Sequence, residues 1–202
     1  MRDPYLYDDV NVLRNKLDIK DSKKLDKYES DITYFNFLDV DDAFADASFD
    51  FNRLCNIHAF IFGDIFDWAG KVRTIPMVKG ERVLGGDTVR YAQPGDIEVE
   101  AKKAINALTQ TNWTVLDTDQ TAETFARLIA ALWQIHPFRE GNTRTVITFA
   151  TQFAFACGFP MDKDLLHESS GYVRDALVKA SDGEYSDYSY LTKIFKDAIL
   201  RG

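Results

Sequence analysis

Nine consecutive residues, His136-Pro137-Phe138-Arg139-Glu140-Gly141-Asn142-Thr143-Arg144, carry the groups needed to handle a phosphate ester. An imidazole with an intrinsic pKa of about 6.5 suits proton abstraction near neutral pH, which makes His136 a candidate general base. Glu140 offers a hard oxygen of the kind Mg²⁺ accepts when nucleotide phosphates supply its other ligands. Gly141 lets backbone approach a phosphate closely, Asn142 can donate a neutral hydrogen bond, and Arg144 can make a charge-assisted fork. A helix starting at this point adds free N–H groups and a partial positive charge that favour an anion. Each residue alone has an ordinary alternative, because a histidine at a helix end caps or packs and a loop glutamate or arginine is solvated. Base, carboxylate, glycine, amide and guanidinium together point to an anion or nucleotide site.

The elements around this run are helical. Phe125, Leu128, Ile129, Leu132 and Trp133 give one apolar face to a helix capped by Thr118 or Asp119 and stopped by Pro137. Residues 143–157 are apolar nearly all round, which predicts a central helix ending at Gly158-Phe159-Pro160. Upstream, the spacing predicts a short amphipathic helix over 8–17 and a second one capped by Asp21 or Ser22, carrying Leu25, Tyr28, Ile32, Phe35 and Leu38. A third starts at Ser48 or Asp50, buries Leu54, Ile57, Ile61 and Ile65, and ends near Trp68-Ala69-Gly70. Strand-favouring residues punctuated by glycines over 71–93 predict a small β-hairpin flap. Pro94-Gly95-Asp96 opens a helix through Ile97, Ala101, Ile105 and Leu108, and two C-terminal helices follow at about 164–180 and 187–200. The fold class is all-α, mainly helical: one domain over 1–202, with its core at roughly 45–200, helices of 8–40 packed on it, and the β-flap at about 71–93.

Of the 202 residues, 46% are hydrophobic and 13% aromatic, enough for one well-cored domain. The formal net charge of -8 argues against nucleic acid as a partner, since phosphate backbones call for a concentrated basic surface. Asp3, Asp8 and Asp9 break any signal-peptide-like run, and no stretch is long and apolar enough to span a membrane. The expectation is a soluble, cytoplasmic protein with no membrane partner. Cys55 and Cys157 read as buried free thiols in a reducing compartment, and His58 and His167 as structural. Tyr185 and Tyr188 could line an adenine pocket, although packing is their more ordinary role. There is no Gly-x-x-x-x-Gly-Lys-(Ser/Thr) run and no Gly-x-Gly-x-x-Gly after a strand.

The polar run resembles the signature of the Fic (Fic/Doc) family, His-x-Phe-x-(Asp/Glu)-Gly-Asn-Gly-Arg-x-x-Arg, at His136, Phe138, Glu140, Gly141, Asn142 and Arg144. Tyr7 to Asp21 resembles the opening of stand-alone bacterial Fic proteins, Asp67 to Thr74 their lead into the flap, and Asp187 to Leu191 the start of their last helix. The resemblance implies a protein adenylyltransferase that moves AMP from ATP to a Ser, Thr or Tyr hydroxyl of a target protein. In that scheme His136 takes the hydroxyl proton and Glu140 holds Mg²⁺. Gly141, Asn142, Thr143 and Arg144 stabilise the phosphates, and Phe138 anchors the loop. The flap, Thr74, Ile75, Pro76, Met77, Val78 and Lys79, pairs with the target backbone as an added strand. Lys79 is also a weaker candidate for contact with nucleotide or target.

Two positions depart from the signature: its second glycine is Thr143 and its second arginine is Ile147. A Thr143 side chain either crowds the phosphates or donates its hydroxyl to one, and Ile147 removes a contact expected for the terminal phosphate. The family's inhibitory pattern, Ser/Thr-x-x-x-Glu-Gly/Asn, is absent from both ends of the sequence. Either a separate small antitoxin supplies it, as in a toxin–antitoxin pair, or the chain is not restrained that way; Ile147 favours the second. The competing readings are transfer of another nucleotide or a phosphoryl group, as in Doc proteins, and a degenerate nucleotide-binding or interaction module.

Overall fold

In the computed structural model, which describes residues 3–45 and 48–202, the most apolar stretches become a helical core around α4 (Thr118–Ile135) and α5 (Asn142–Ala156). Helix α4 starts in a capping box, where the Asp117 side chain accepts from the Gln120 N–H and the Gln120 side chain accepts from the Asp117 N–H. It buries Phe125, Ala126, Ile129, Ala130, Leu132 and Trp133, and packs against α3 (Ile97–Gln110), α5, α7 (Ser170–Lys179) and α8 (Ser189–Arg201). Helix α5 lies against α2 (Phe51–Phe62), which is backed by α1 (Ser22–Ala43). Threonines are tolerated inside α5 because their hydroxyls bond back along the helix: Thr145 to the Gly141 carbonyl at 3.0 Å and Thr148 to that of Arg144 at 2.9 Å. Buried Arg53 donates to Gln152 at 2.8 Å, and Gln152 donates to the Val40 carbonyl at 3.2 Å, so one polar chain ties α1, α2 and α5.

Several sequence expectations are corrected in detail. The helix expected over 8–17 is absent. Leu6 and Leu13 form a single antiparallel bridge instead, and the Asn15 amide accepts from Ile19 N–H at 2.9 Å while donating to the Leu13 carbonyl at 3.0 Å. These local bonds compete with a helix and win. Helix α1 is capped by Asp21 as expected, yet Phe35 and Leu38 point outward, and Leu25, Thr33 and Val40 lie on the buried side. Helix α2 stops at Phe62, not near Gly70, because Ile65 and Phe66 both donate to the Phe62 carbonyl and turn the chain. The cap of α4 is Asp117 rather than Thr118 or Asp119. The helix expected at 164–180 is two, α6 (Lys163–Glu168) and α7, broken at Ser169 where Ser169-Ser170-Gly171 offers weak helix formers.

No β-ladder forms across 71–93 among the described residues. The segment runs out without regular secondary structure, reverses through a single 3₁₀ turn at Arg82–Leu84, and returns likewise to Gln93. Backbone bonds join its arms only beside the turn, where the Glu81 N–H donates to the Asp87 carbonyl at 2.8 Å; further out the Lys79 N–H donates to the Thr88 hydroxyl at 3.2 Å, and the Arg73 guanidinium spans the Ile75 and Ala92 carbonyls.

Candidate active site

Helix α4 ends at His136 in the left-handed region, φ 54°, with its N–H still donating to the Trp133 carbonyl at 3.0 Å. Pro137 has no N–H with which to continue the helix, so the chain turns out there. The turn is closed by Asn142, whose side chain accepts from the Phe138 N–H and donates to the Phe138 carbonyl, both at 2.8 Å. Expected as a phosphate donor, the Asn142 side chain is directed to the backbone of its own loop. Phe138 is fully buried and stacks on the His58 ring with centroids 3.9 Å apart. Gly141, at φ 78°, is fixed by more than its backbone angle, because a Cβ there would run into the ring of Phe62.

His136 is buried, lies against the Tyr91 ring at 4.2 Å between centroids, and has no hydrogen-bond partner for either ring nitrogen among the described residues. Buried polar atoms are nearly always paired, so two orphan nitrogens on one ring mark a group waiting for a ligand. Burial, and then the positive charges of Lys79, Arg73 and Arg174, hold its pKa well below the ordinary histidine value. The ring is therefore neutral at physiological pH and can take up a proton. It opens into a cleft of about 320 Å³ also lined by Lys79, Trp133, Glu140 to Arg144, Ser170, Gly171 and Arg174.

In the same cleft, Glu140 is partly exposed, with one carboxylate oxygen accepting from the Gly141 N–H at 3.1 Å and the other 3.6 Å from the Lys79 ammonium. Burial raises its pKa, but Lys79, the Gly141 N–H, Arg144 and Arg139 together outweigh that and leave it lowered. No group of three or more His, Cys, Asp or Glu side chains capable of holding a metal occurs among the described residues. An ionised carboxylate at the cleft mouth thus fits Mg²⁺ in the mode where phosphate oxygens and water complete the octahedron, and does not fit an all-protein cage. Thr143 accepts a hydrogen bond from the Trp133 indole N–H at 2.9 Å, which leaves its own hydroxyl hydrogen available to another acceptor. Arg144 is engaged: its guanidinium pairs with Glu29 of α1 and sits 4.6 Å from the Phe62 ring centroid. To reach a phosphate it must exchange the Glu29 carboxylate for the ligand.

The segment Thr74 to Lys79 flanks the cleft with alternating exposure: Ile75, Met77 and Lys79 are partly covered, while Thr74, Pro76 and Val78 are exposed. Thr74 is tied to the N-terminal segment through its N–H and the Tyr5 hydroxyl, 3.0 Å. The N–H groups of Ile75, Met77 and Val78 have no hydrogen bond among the described residues, so this is an open strand edge. Lys79 reaches inward to Glu140, a stronger engagement than a solvated lysine has.

Sequence reasoning missed the role of Arg73, and read His58 as structural without its contacts. His58 lies fully buried beneath the turn, its Nδ1 accepting from the Gly70 N–H at 2.7 Å; that contact makes Nε2 the protonated nitrogen, which donates to the Glu140 carbonyl at 3.0 Å. Its signal was a titratable side chain on the apolar stripe of Leu54, Ile57 and Ile61. Buried Arg73 donates to the carbonyls of His136, Ile75 and Ala92, and its signal was an isolated charge among Val72, Thr74 and Ile75. His167 is exposed near the end of α6, Tyr185 is exposed, and Tyr188 packs under Arg127, so none of these lines the cleft. Cys55 and Cys157 are free and partly covered, and burial pushes the Cys55 thiol up to about 11, too high for a nucleophile.

Residues 48–154 match the model of the Fic/DOC family. The protein adenylyltransferase VbhT of Bartonella schoenbuchensis is 31% identical over 91% of this chain, which spans 36% of that relative's length. The probable protein adenylyltransferase y4lH of Sinorhizobium fredii is 31% identical, with 91% of each chain covered. Among solved structures, the BepC protein of Bartonella tribocorum with bound AMPPNP superposes with a TM-score of 0.77 at 26% identity, covering 96% of this chain and 95% of that one.

Proposed function

The chain belongs to the Fic/DOC family, and on that premise we propose that it is a protein adenylyltransferase, moving AMP from ATP to a Ser, Thr or Tyr hydroxyl of another protein. The observation that carries this reading is the imidazole of His136: buried, neutral, without a partner on either nitrogen, and lining a cleft that also holds an ionised carboxylate and a helix start. In the reaction the acceptor oxygen attacks the α-phosphorus, its proton passes to His136, and the bond to pyrophosphate breaks. Bringing a triphosphate beside His136 offsets the cations that depress its basicity, so the base strengthens when substrate is present. The N–H groups opening α5 and the free hydrogen of Thr143 face the phosphates, and Arg144 joins them on leaving Glu29.

Glu140 is the residue that would hold Mg²⁺, which when bound would neutralise charge on the phosphates. The open edge of Ile75 to Val78 receives the acceptor's backbone as an added strand, which brings its hydroxyl to the cleft. A cytoplasmic location, where ATP is abundant, fits this reading, and no helix among the described residues is long and apolar enough to cross a membrane. Relatives named as protein adenylyltransferases and a solved relative holding AMPPNP support the same reading.

One alternative has an observation of its own: Arg144 engaged by Glu29, together with Ile147 in place of a second guanidinium, favours a module that holds nucleotide without transferring it. Incubation with labelled ATP and bacterial lysate decides. Transfer of the α-label and not the γ-label, abolished in His136→Ala, is expected; γ-label transfer would indicate phosphorylation, and ATP binding without transfer the module. A small antitoxin partner, and a role as the toxin of such a pair, would appear as a co-purifying protein that suppresses the α-label signal.

A further inference from the structure

One residue grips both halves of the site. The backbone N–H of Arg73 donates to the Pro137 carbonyl at 2.9 Å, its Nε to that of His136 at 2.7 Å, and its Nη2 to that of Ile135 at 3.4 Å. Three consecutive carbonyls of the turn that presents the base are therefore held by a single amino acid. The other side of the same guanidinium donates to Ile75 at 2.6 Å and to Ala92 at 2.5 Å, one on each arm of the segment beside the cleft. Arg73 is 1% exposed and makes no salt bridge among the described residues. A buried cation without a carboxylate is costly to keep unless carbonyl dipoles satisfy its donors from several directions, which a planar fork can do and an ammonium cannot. His136 sits in a left-handed conformation uncommon for its type, which persists only where surrounding bonds fix it.

Resting on the adenylyltransferase reading, we infer that Arg73 is a positioning residue that sets the acceptor-binding edge and the base in one fixed register, so that docking of the target protein and activation of its hydroxyl depend on the same guanidinium. It touches neither nucleotide nor acceptor. Its loss uncouples the two halves and leaves the nucleotide's own contacts in place.

The experiment compares wild type with Arg73→Lys, which keeps the charge and loses the fork, and Arg73→Gln, which keeps donors and loses the charge. ATP affinity is read by calorimetry. Initial rates of α-label transfer onto lysate proteins are read across a lysate dilution series, which separates the maximal rate from the half-saturating amount. Expected are ATP affinities within about threefold of wild type, a transfer rate lower by about a hundredfold, and a raised half-saturation point, with Gln retaining more transfer than Lys. Transfer at the wild-type rate, or a loss of ATP affinity in proportion to the loss of transfer, overturns the inference. Wild type without transfer defeats the adenylyltransferase reading instead. Hydrogen exchange on wild type then tests Arg73 independently of activity and of how the variants fold: the amides of Arg73 and His136 must open as one unit, and exchange of Arg73 orders of magnitude faster than His136 sinks the coupling.

Discussion

The turn from His136 to Thr145 and the segment from Thr74 to Lys79 meet at one cleft, the segment through Lys79, and are built by opposite rules. In the turn, backbone and side-chain groups are consumed internally: Asn142 closes on Phe138, Thr145 bonds back to Gly141, and His58 holds the Glu140 carbonyl from below. Among its buried side chains only the imidazole of His136 is left without partners, and the first N–H groups of α5 stay free beside it. In the segment, the side chains are anchored at intervals and the amide edge is left open. The contrast separates two tasks. Chemistry needs atoms held to within fractions of an ångström, whereas recognition of a protein backbone needs donors and acceptors not yet paired. A rigid half can serve any acceptor that the open half can seat.

Substitutions should fall differently on the two sides. The largest effect belongs to the turn: His136→Ala should lower α-label transfer by about a thousandfold while ATP still binds, since general-base catalysis carries roughly that factor. Persistent transfer would break the comparison by removing its central group. Gly141→Ala should cost about 2–4 kcal/mol in denaturant unfolding, combining a strained left-handed angle with intrusion into the Phe62 ring. Adding Phe62→Leu should restore part of it, and a mild effect at 141 would show the turn softer than described.

Acid should also act through the turn. Burial holds His58 down to about 4 and His136 well below its usual value, so both stay neutral when folded but charge in the unfolded chain below about pH 6.5. The unfolded state then binds more protons, and stability drops as pH falls from about 6.5 towards 4, with His58 alone contributing on the order of 3 kcal/mol. Urea midpoints at pH 7.5 and pH 5 measure the slope, and His58→Gln should flatten it. On the open side, Val78→Pro removes an N–H that has no internal partner. Melting should barely move while transfer to protein falls by about tenfold, and a large loss of stability would mean the edge is not free. The smallest effect is expected for Glu29→Gln, which releases Arg144 and should raise ATP affinity by about threefold in calorimetry, as befits a partly exposed ion pair.

The same division governs how much of the molecule could be read from its residues. The helices now found at 97–110, 118–135 and 142–156 announce themselves through apolar spacing and punctuation by Pro137 and Gly158, and the motif between the last two stands out because polar types crowd between apolar flanks. The N-terminal stretch has helical spacing as well, yet Asn15 diverts its backbone into local turns, a choice that periodicity does not encode. The arms of 71–93 have strand composition but are bridged by the side chain of Arg73, which joins Ile75 on one arm to Ala92 on the other, a link that composition does not encode. Roles exercised through backbone carbonyls leave only a charged or titratable side chain among apolar neighbours, which is why the contacts of Arg73 and His58 were not legible while His136 and Glu140 stood out within the motif. Arg144 was legible as a phosphate ligand, but its engagement by Glu29 depends on how α1 docks.

Trp133 donating to Thr143 couples the departure from the family signature to the helix before it. Replacing Thr143 by glycine would take from the almost fully covered indole N–H the partner it has here. The two positions therefore act as one unit, and a glycine at 143 is felt at 133 as well.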